Sequence, residues 1–277
     1  KKIDLNQVKV NPSSLFGMHS VDGADAVNGP LAFNSEDSGS MQVKFVKRRI
    51  DSEDGYFELT SSAGVFTALA SPYIPAVYDN SHWNISVRVG AKSDIDFNII
   101  PATADTTYLI EFAGYNYDLD VLKNSFSTNI SISKEIYEKI SQQDKGVFVG
   151  SHKTNFSGSH LMSSDVRVLG FNMWKDCLTE DELKEHAKNP ETYGRTKPQS
   201  ISNFDTGNNL LSADSLILRW QFQNLTASND SSQLNVSDFS SGSNVSILDD
   251  EVSGFQHPGL AVSMIDNNSA IFQEFIP

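Results

Sequence analysis

Between Val147 and Gly194 the chain reads VFVGSHKTNFSGSHLMSSDVRVLGFNMWKDCLTEDELKEHAKNPETYG, and this stretch constrains the fold more than any other. It predicts a glycine-bounded strand, a loop, a long alternating strand and one short, well-capped helix. Thr179 is the natural N-cap and Glu182 follows three residues later, so hydroxyl and carboxylate can each satisfy a free backbone N–H. Leu178 and Leu183 hold the positions of a hydrophobic staple. Asn189-Pro190 ends the helix, because proline cannot extend the ladder and biases the residue before it away from helix. In the preceding strand Val166, Val168, Phe171 and Met173 present apolar groups to one side, the phase shifting across Gly170 as at a bulge. Such a face needs a second sheet to cover it.

From Leu15 onward short apolar segments alternate with Gly, Asp, Asn and Ser, the spacing of an all-β sandwich. Candidate strands are Met41–Val46, Tyr56–Leu59, Val65–Ala70, Asp96–Ile100, Thr107–Ala113, Thr128–Ile132 and Gly146–Gly150. The clearest is Trp83–Val89, where Trp83, Ile85, Val87 and Val89 alternate with Asn84, Ser86 and Arg88, one face core and one wet. Ser133–Ile140 predicts a short helix capped by Ser133, with Glu135 in its first turn and Ile136 and Ile140 on one face.

The ending Gly150-Ser151-His152, Gly158, Val166, Val168, Phe171, Met173-Trp174, Leu178-Thr179 and Asp181-Glu182-Leu183 resembles the C-terminal part of laminin G-like, concanavalin A-like lectin domains. The resemblance implies an antiparallel jelly-roll β-sandwich with one short capped helix. It speaks to fold rather than ligand, because that family mixes sugar binders, protein binders, enzymes and inert spacers. Its enzymes carry two carboxylates in a compact E-x-D-x-x-E arrangement on one strand. No such motif occurs here; Asp51, Glu53, Asp54 and Glu58 form the nearest cluster, with the wrong spacing and a turn at Gly55. The expectation is therefore no catalysis by these residues.

Related domains often bind calcium at the sandwich rim through oxygen ligands. The calcium candidates are Asp22 and Asp25 in VDGADA, Asp94 and Asp96 in KSDIDF, and Asp118 and Asp120 in YNYDLD, each pair being more simply a solvated turn. His152 and His160 are the only histidines near metal-ligand spacing. No other cofactor is expected. The candidate ligand rim is Ala113–Asp120, where Tyr115, Tyr117, Asp118 and Asp120 fall on an exposed connection after a strand. Aromatic faces there would stack on sugar rings while the carboxylates fix hydroxyls. The alternative is that both tyrosines pack beneath their own loop.

A formal net charge of −14 over 277 residues leaves no basic footprint for nucleic acid. No run of eighteen apolar residues occurs, so no membrane-inserted helix is expected. Cys177 is the only cysteine, which rules out an intrachain disulfide and favours folding in a reducing compartment such as a bacterial cytosol.

Landmarks recur along the chain. Ser38-Gly39-Ser40 returns as Ser241-Gly242-Ser243, Gly55 as Gly259, and Tyr73-Ile74-Pro75 as Phe275-Ile276-Pro277, at offsets of about two hundred residues. Residues 1–13 and 196–214 read as linkers, 14–195 as one laminin G-like sandwich, and 215–277 as the front of a second. A new alternating strand opens that second unit with Leu216, Leu218, Trp220 and Phe222 on one face, and its completion is expected from residues beyond Pro277, the alternatives being another subunit or packing back on the first domain. The functional expectation is a non-enzymatic structural or adhesive module of a larger assembly protein. Such tandem, disulfide-free modules are found in bacteriophage virion proteins. Its partners would be other structural subunits, and cell-surface glycans are a candidate ligand. The alternatives are a secreted cell-surface adhesin and an accessory lectin domain of a glycan-processing enzyme.

Overall fold

The computed structural model describes residues 12–20, 39–49, 52–62, 65–77, 81–95, 107–141, 145–150, 167–175, 177–189, 216–222, 235–237, 256–258 and 262–264. Its strands are β1 (Ser13–Ser20), β2 (Met41–Lys47), β3 (Gly55–Ser61), β4 (Leu69–Ala70), β5 (Trp83–Ala91), β6 (Tyr108–Asp118), β7 (Val121–Ile132), β8 (Lys145–Val149), β9 (Gly170–Trp174), β10 (Leu216–Gln221), β11 (Asn235–Ser237), β12 (Gln256–Pro258) and β13 (Val262–Met264). Between them stand α1 (Lys92–Ile95), α2 (Lys134–Ser141) and α3 (Glu180–Lys188). The strands form a six-stranded sheet ordered β13-β8-β1-β2-β3-β4, a three-stranded sheet β5-β6-β7, and the pairs β10-β9 and β11-β12. Their ladders are antiparallel.

Period-two alternation decides which face of each sheet turns inward. On β2 and β3, Met41, Val43 and Phe45 stand beside Phe57 and Leu59, with Val43 opposite Leu59 and Phe45 opposite Phe57. Facing them from the three-stranded sheet are Ile110, Phe112, Phe126 and Ile132, all buried, with Trp83, Ile85, Val87 and Val89 packed against the same core. Rings join the two layers: Phe57 stacks on Phe126 at 5.8 Å and meets Trp83 at 5.3 Å, while Phe112 contacts Phe126 at 5.1 Å. Fully burying each such side chain stabilises by about 1.5–3 kcal/mol, which makes this the principal core. Gly114, directly opposite Phe126, admits that ring; a Cβ there would lie 2.3 Å from it.

The sandwich continues through β9 and β10. Val147 and Val149 of β8 pack with Leu218 and Trp220, and Val168, Phe171 and Met173 join them. Val168 on the same side as Phe171 and Met173 agrees with a phase shift at Gly170; Val166 lies outside the described residues. Phe171, Met173, Trp174 and Trp83 are each partly buried. Leu216–Gln221 pairs antiparallel with β9, and Trp220, fully buried, sits 5.8 Å from the Phe171 ring. The apolar face of the Leu216 strand is thus covered by β8 and β9. β13 likewise adds to the six-stranded sheet by pairing with β8.

Other local readings meet the structure unevenly. The α3 capping box forms as expected, the Thr179 hydroxyl accepting from the Glu182 N–H at 3.0 Å and the Glu182 carboxylate from the Thr179 N–H at 2.7 Å. Leu178 and Leu183 are both buried in one cluster, and Asn189 is the C-cap. Ser133 caps α2 through its hydroxyl, which accepts from the Ile136 N–H. Val65–Ala70, expected as a strand, shrinks to Leu69–Ala70, because the Ser61 hydroxyl takes both backbone groups of Phe66 at 3.1 and 3.2 Å. Asp96–Ile100 lies outside the described residues.

Candidate functional site

The three-stranded sheet has a second face, and sequence alternation marked it as wet. At Arg88 it is not. Arg88 stands directly opposite Glu111, and one of its nitrogens donates to both carboxylate oxygens at 2.7 Å, the two side chains only 8% and 12% exposed. Its other terminal nitrogen donates to the Leu178 carbonyl at 2.7 Å, tying the residue before the α3 cap to the sheet. Ala113, Tyr115, Leu178 and Leu183 then form a small second core, with Tyr117, Trp174 and Ala187 packed against it. Charge-assisted hydrogen bonds of this kind fix orientation as well as charge, so α3 has one seat on the sheet. Cys177, the residue before Leu178, is partly buried with its Sγ 3.7 Å from the Val89 carbonyl oxygen.

This second core corrects the expected ligand rim. Ala113–Asp118 is no loop: β6 runs on to Asp118, pairs with β7 over its whole length, and turns only at Leu119 and Asp120. Tyr115 is buried, and burial, reinforced by Glu180 and Glu111, pushes its phenol up to about 12. It therefore packs against the sheet and helix rather than facing a ligand. Tyr117 is half-buried, and the Lys188 ammonium lies 5.6 Å from its ring centroid while bonding Glu185 at 2.6 Å. Lys188 is raised from its ordinary value, chiefly by that Glu185 hydrogen bond. Asp118 and Asp120 are exposed at the turn, and Asp118 pairs with Lys123 at 3.4 Å. The structure thus separates the four rim residues: one tyrosine is core, one is half-covered by α3, and the acids flank the hairpin tip.

That tip carries what the sequence reading missed. Leu119 is 89% exposed and Val121 and Leu122 beside it are also exposed. Leu119 adopts φ 55, the left-handed region, where a residue with a Cβ loses about 1–2 kcal/mol. Two-residue hairpin turns ordinarily place Gly, Asn or Asp at such a position. The signal was present in DLDVL, an apolar residue where turn chemistry asks for a small or polar one.

Of the calcium candidates, Asp22, Asp25 and Asp96 lie outside the described residues, as do His152 and His160; Asp94 falls in α1. Among the described residues no three of His, Cys, Asp or Glu gather as a metal-holding group. Among them, too, no helix is long and apolar enough to cross a membrane. Compared with protein-family models, with curated proteins and with solved structures, the chain finds no match.

Proposed function

We propose that this chain is a non-catalytic structural module, of the laminin G-like jelly-roll type, that associates with other subunits of a larger assembly through the β6–β7 hairpin. The observation that carries the reading is Leu119, a large apolar side chain held both exposed and in a disfavoured backbone region at a hairpin tip. Strain of that kind persists where the surrounding structure imposes it and function retains it. Val121 and Leu122 extend the apolar surface, and β7 is the edge of its sheet among the described residues. An edge strand with apolar neighbours pairs readily with a strand of another chain. The partner of first choice is a second copy, since an antiparallel edge is self-complementary about a two-fold axis. A virion is the setting that fits a module with a single cysteine and no intrachain disulfide.

Sedimentation of the 277-residue chain tests the reading. It predicts a species near twice 30.5 kDa that returns to 30.5 kDa on Leu122→Lys, a charge placed on the edge. A chain that sediments at 30.5 kDa throughout, or hydrolyses polysaccharide, contradicts it.

A further inference from the structure

Behind the hairpin tip the edge of β7 is long and regular. Asn116 pairs with Asn124 but Tyr117 with Leu122, so Lys123 is the extra residue of a bulge, and the regular ladder runs over residues 124–132. These nine of the strand's twelve residues, NSFSTNISI, contain no charge, proline or glycine. Edge strands are ordinarily blunted by such residues, by bulges or by a covering segment. Here the bulge stops short of the regular ladder, and β7 is the edge of its sheet among the described residues. On the outer face Ser125, Ser127, Asn129 and Ser131 stand exposed, although α3 packs on Tyr115 and Ala113, which lie opposite the first two. On the inner face Phe126 and Ile132 are buried, and Thr128 and Ile130 are half-buried.

The occupant of this edge follows from charge and from the side-chain pattern. A chain of net charge −14 repels its own copy, and the repulsion is least where the contact carries no charge. About a two-fold axis normal to the sheet, two copies of β7 run antiparallel and both cores stay on one side. Directly opposite residues share a face, so inner residues must meet inner ones. The axis that pairs the whole of 124–132 with itself passes through Thr128 and meets that condition. Phe126 then lies opposite the partner's Ile130, Ser127 opposite the partner's Asn129, and Ser125 opposite the partner's Ser131. Apolar groups meet apolar groups and polar groups meet polar ones, the cross-strand matching that stabilises a ladder. The single mismatch, Asn124 against Ile132, falls at the two ends.

Other registers fit less well. An axis at Phe126 or Ser127 draws the Lys123 bulge into the ladder, and one at Ile130 pairs only residues 128–132. We propose, building on the assembly reading above, that residues 124–132 of two copies pair about Thr128 and join two three-stranded sheets into one of six strands. The paired segment spans about 30 Å and forms about eight to ten hydrogen bonds, close to the number in an ordinary protein interface. Each tip then passes the partner's Ser133 and reaches the first turn of the partner's α2.

Cysteine cross-linking of the 277-residue chain locates the axis. Thr128→Cys is expected to form a disulfide-linked dimer under mild oxidation, because the two Cα atoms at the axis lie about 4.5–5.5 Å apart. Ser125→Cys and Ser131→Cys each place their two sulfurs about 20 Å apart and should not link alone, whereas a mixture of the two chains should link. Wild type, with Cys177 as its single cysteine, sets the background. Ser127→Lys, at an exposed position on the edge, should weaken dimerisation in sedimentation at least about tenfold with Tm retained. A dimer in sedimentation with no Thr128→Cys link, with Ser125→Cys linked to itself, or with a folded Ser127→Lys as tight as wild type overturns the proposal and leaves the assembly reading standing. A chain that sediments at 30.5 kDa throughout overturns both.

Discussion

The base and the tip of the β6–β7 hairpin belong to one ladder, yet they follow opposite rules. At the base Ile110 and Phe112 are fully buried, Phe126 lies across Gly114, and the inward-facing apolar side chains meet the facing sheet. At the tip Leu119, Val121 and Leu122 face solvent, and Leu119 sits where a glycine or asparagine would be relaxed. Local consistency marks the residues that hold a fold together, and its breach marks residues kept for another purpose. Between the two lies the outer face of the same strands, where Arg88, Glu111 and Tyr115 seat α3.

The contrast breaks most heavily at the base. Phe112→Ala empties a fully buried site and loses the edge contact with Phe126 at 5.1 Å. It should cost about 3–5 kcal/mol and lower Tm by roughly 10 °C in a calorimetric scan. Next comes the clamp on the outer face: Arg88→Met strands the Glu111 carboxylate under α3, an expected loss of about 3 kcal/mol. Adding Glu111→Leu should restore most of it, whereas a double variant as unstable as the single one would remove the pair as the cause.

Tyr115 gives a pH test of the same face. Its phenol is raised from 10.0 to about 12 in the folded chain, so the folded state holds the proton more tightly than the unfolded one. That contribution is complete below pH 10 and is lost as pH rises toward 12. Alkaline unfolding of the wild type should therefore steepen in that window by about 2 kcal/mol, and Tyr115→Phe should flatten it. A Tyr115→Phe profile identical to wild type would show that the phenol is wet.

How much could be read from the chain depends on the range of the interaction involved. The α3 cap was legible because Thr179, Glu182, Leu178 and Leu183 act on one another within a single turn. The inner face of β5 was legible because alternation is local as well. The outer face was not, since Arg88 acquires its partners from Glu111 and Leu178, distant in sequence, and a polar residue reads as wet until they arrive. The expected strand stopped at Ala113, which put Gly114 and Tyr115 on a connection. The actual reason for Gly114 is tertiary: only hydrogen leaves room for the Phe126 ring. The Leu216 strand showed its alternation plainly, but nothing in its own residues said that β9 would cover it. The copy-two landmarks Ser241-Gly242-Ser243, Gly259 and Phe275-Ile276-Pro277 lie outside the described residues, so their copy-two reading stays an expectation.

The tip is the smallest perturbation to the fold and the most direct test of function. Leu119→Asn places a residue that tolerates the left-handed region at φ 55 and removes the most exposed large hydrophobic side chain among the described residues. Its folding stability should be unchanged or raised by less than about 1 kcal/mol. Analytical ultracentrifugation of wild type and Leu119→Asn at matched concentrations measures association alongside it. The account predicts a wild-type species near twice 30.5 kDa and a Leu119→Asn species at 30.5 kDa with Tm retained. Equal masses for the two proteins at every concentration would contradict it.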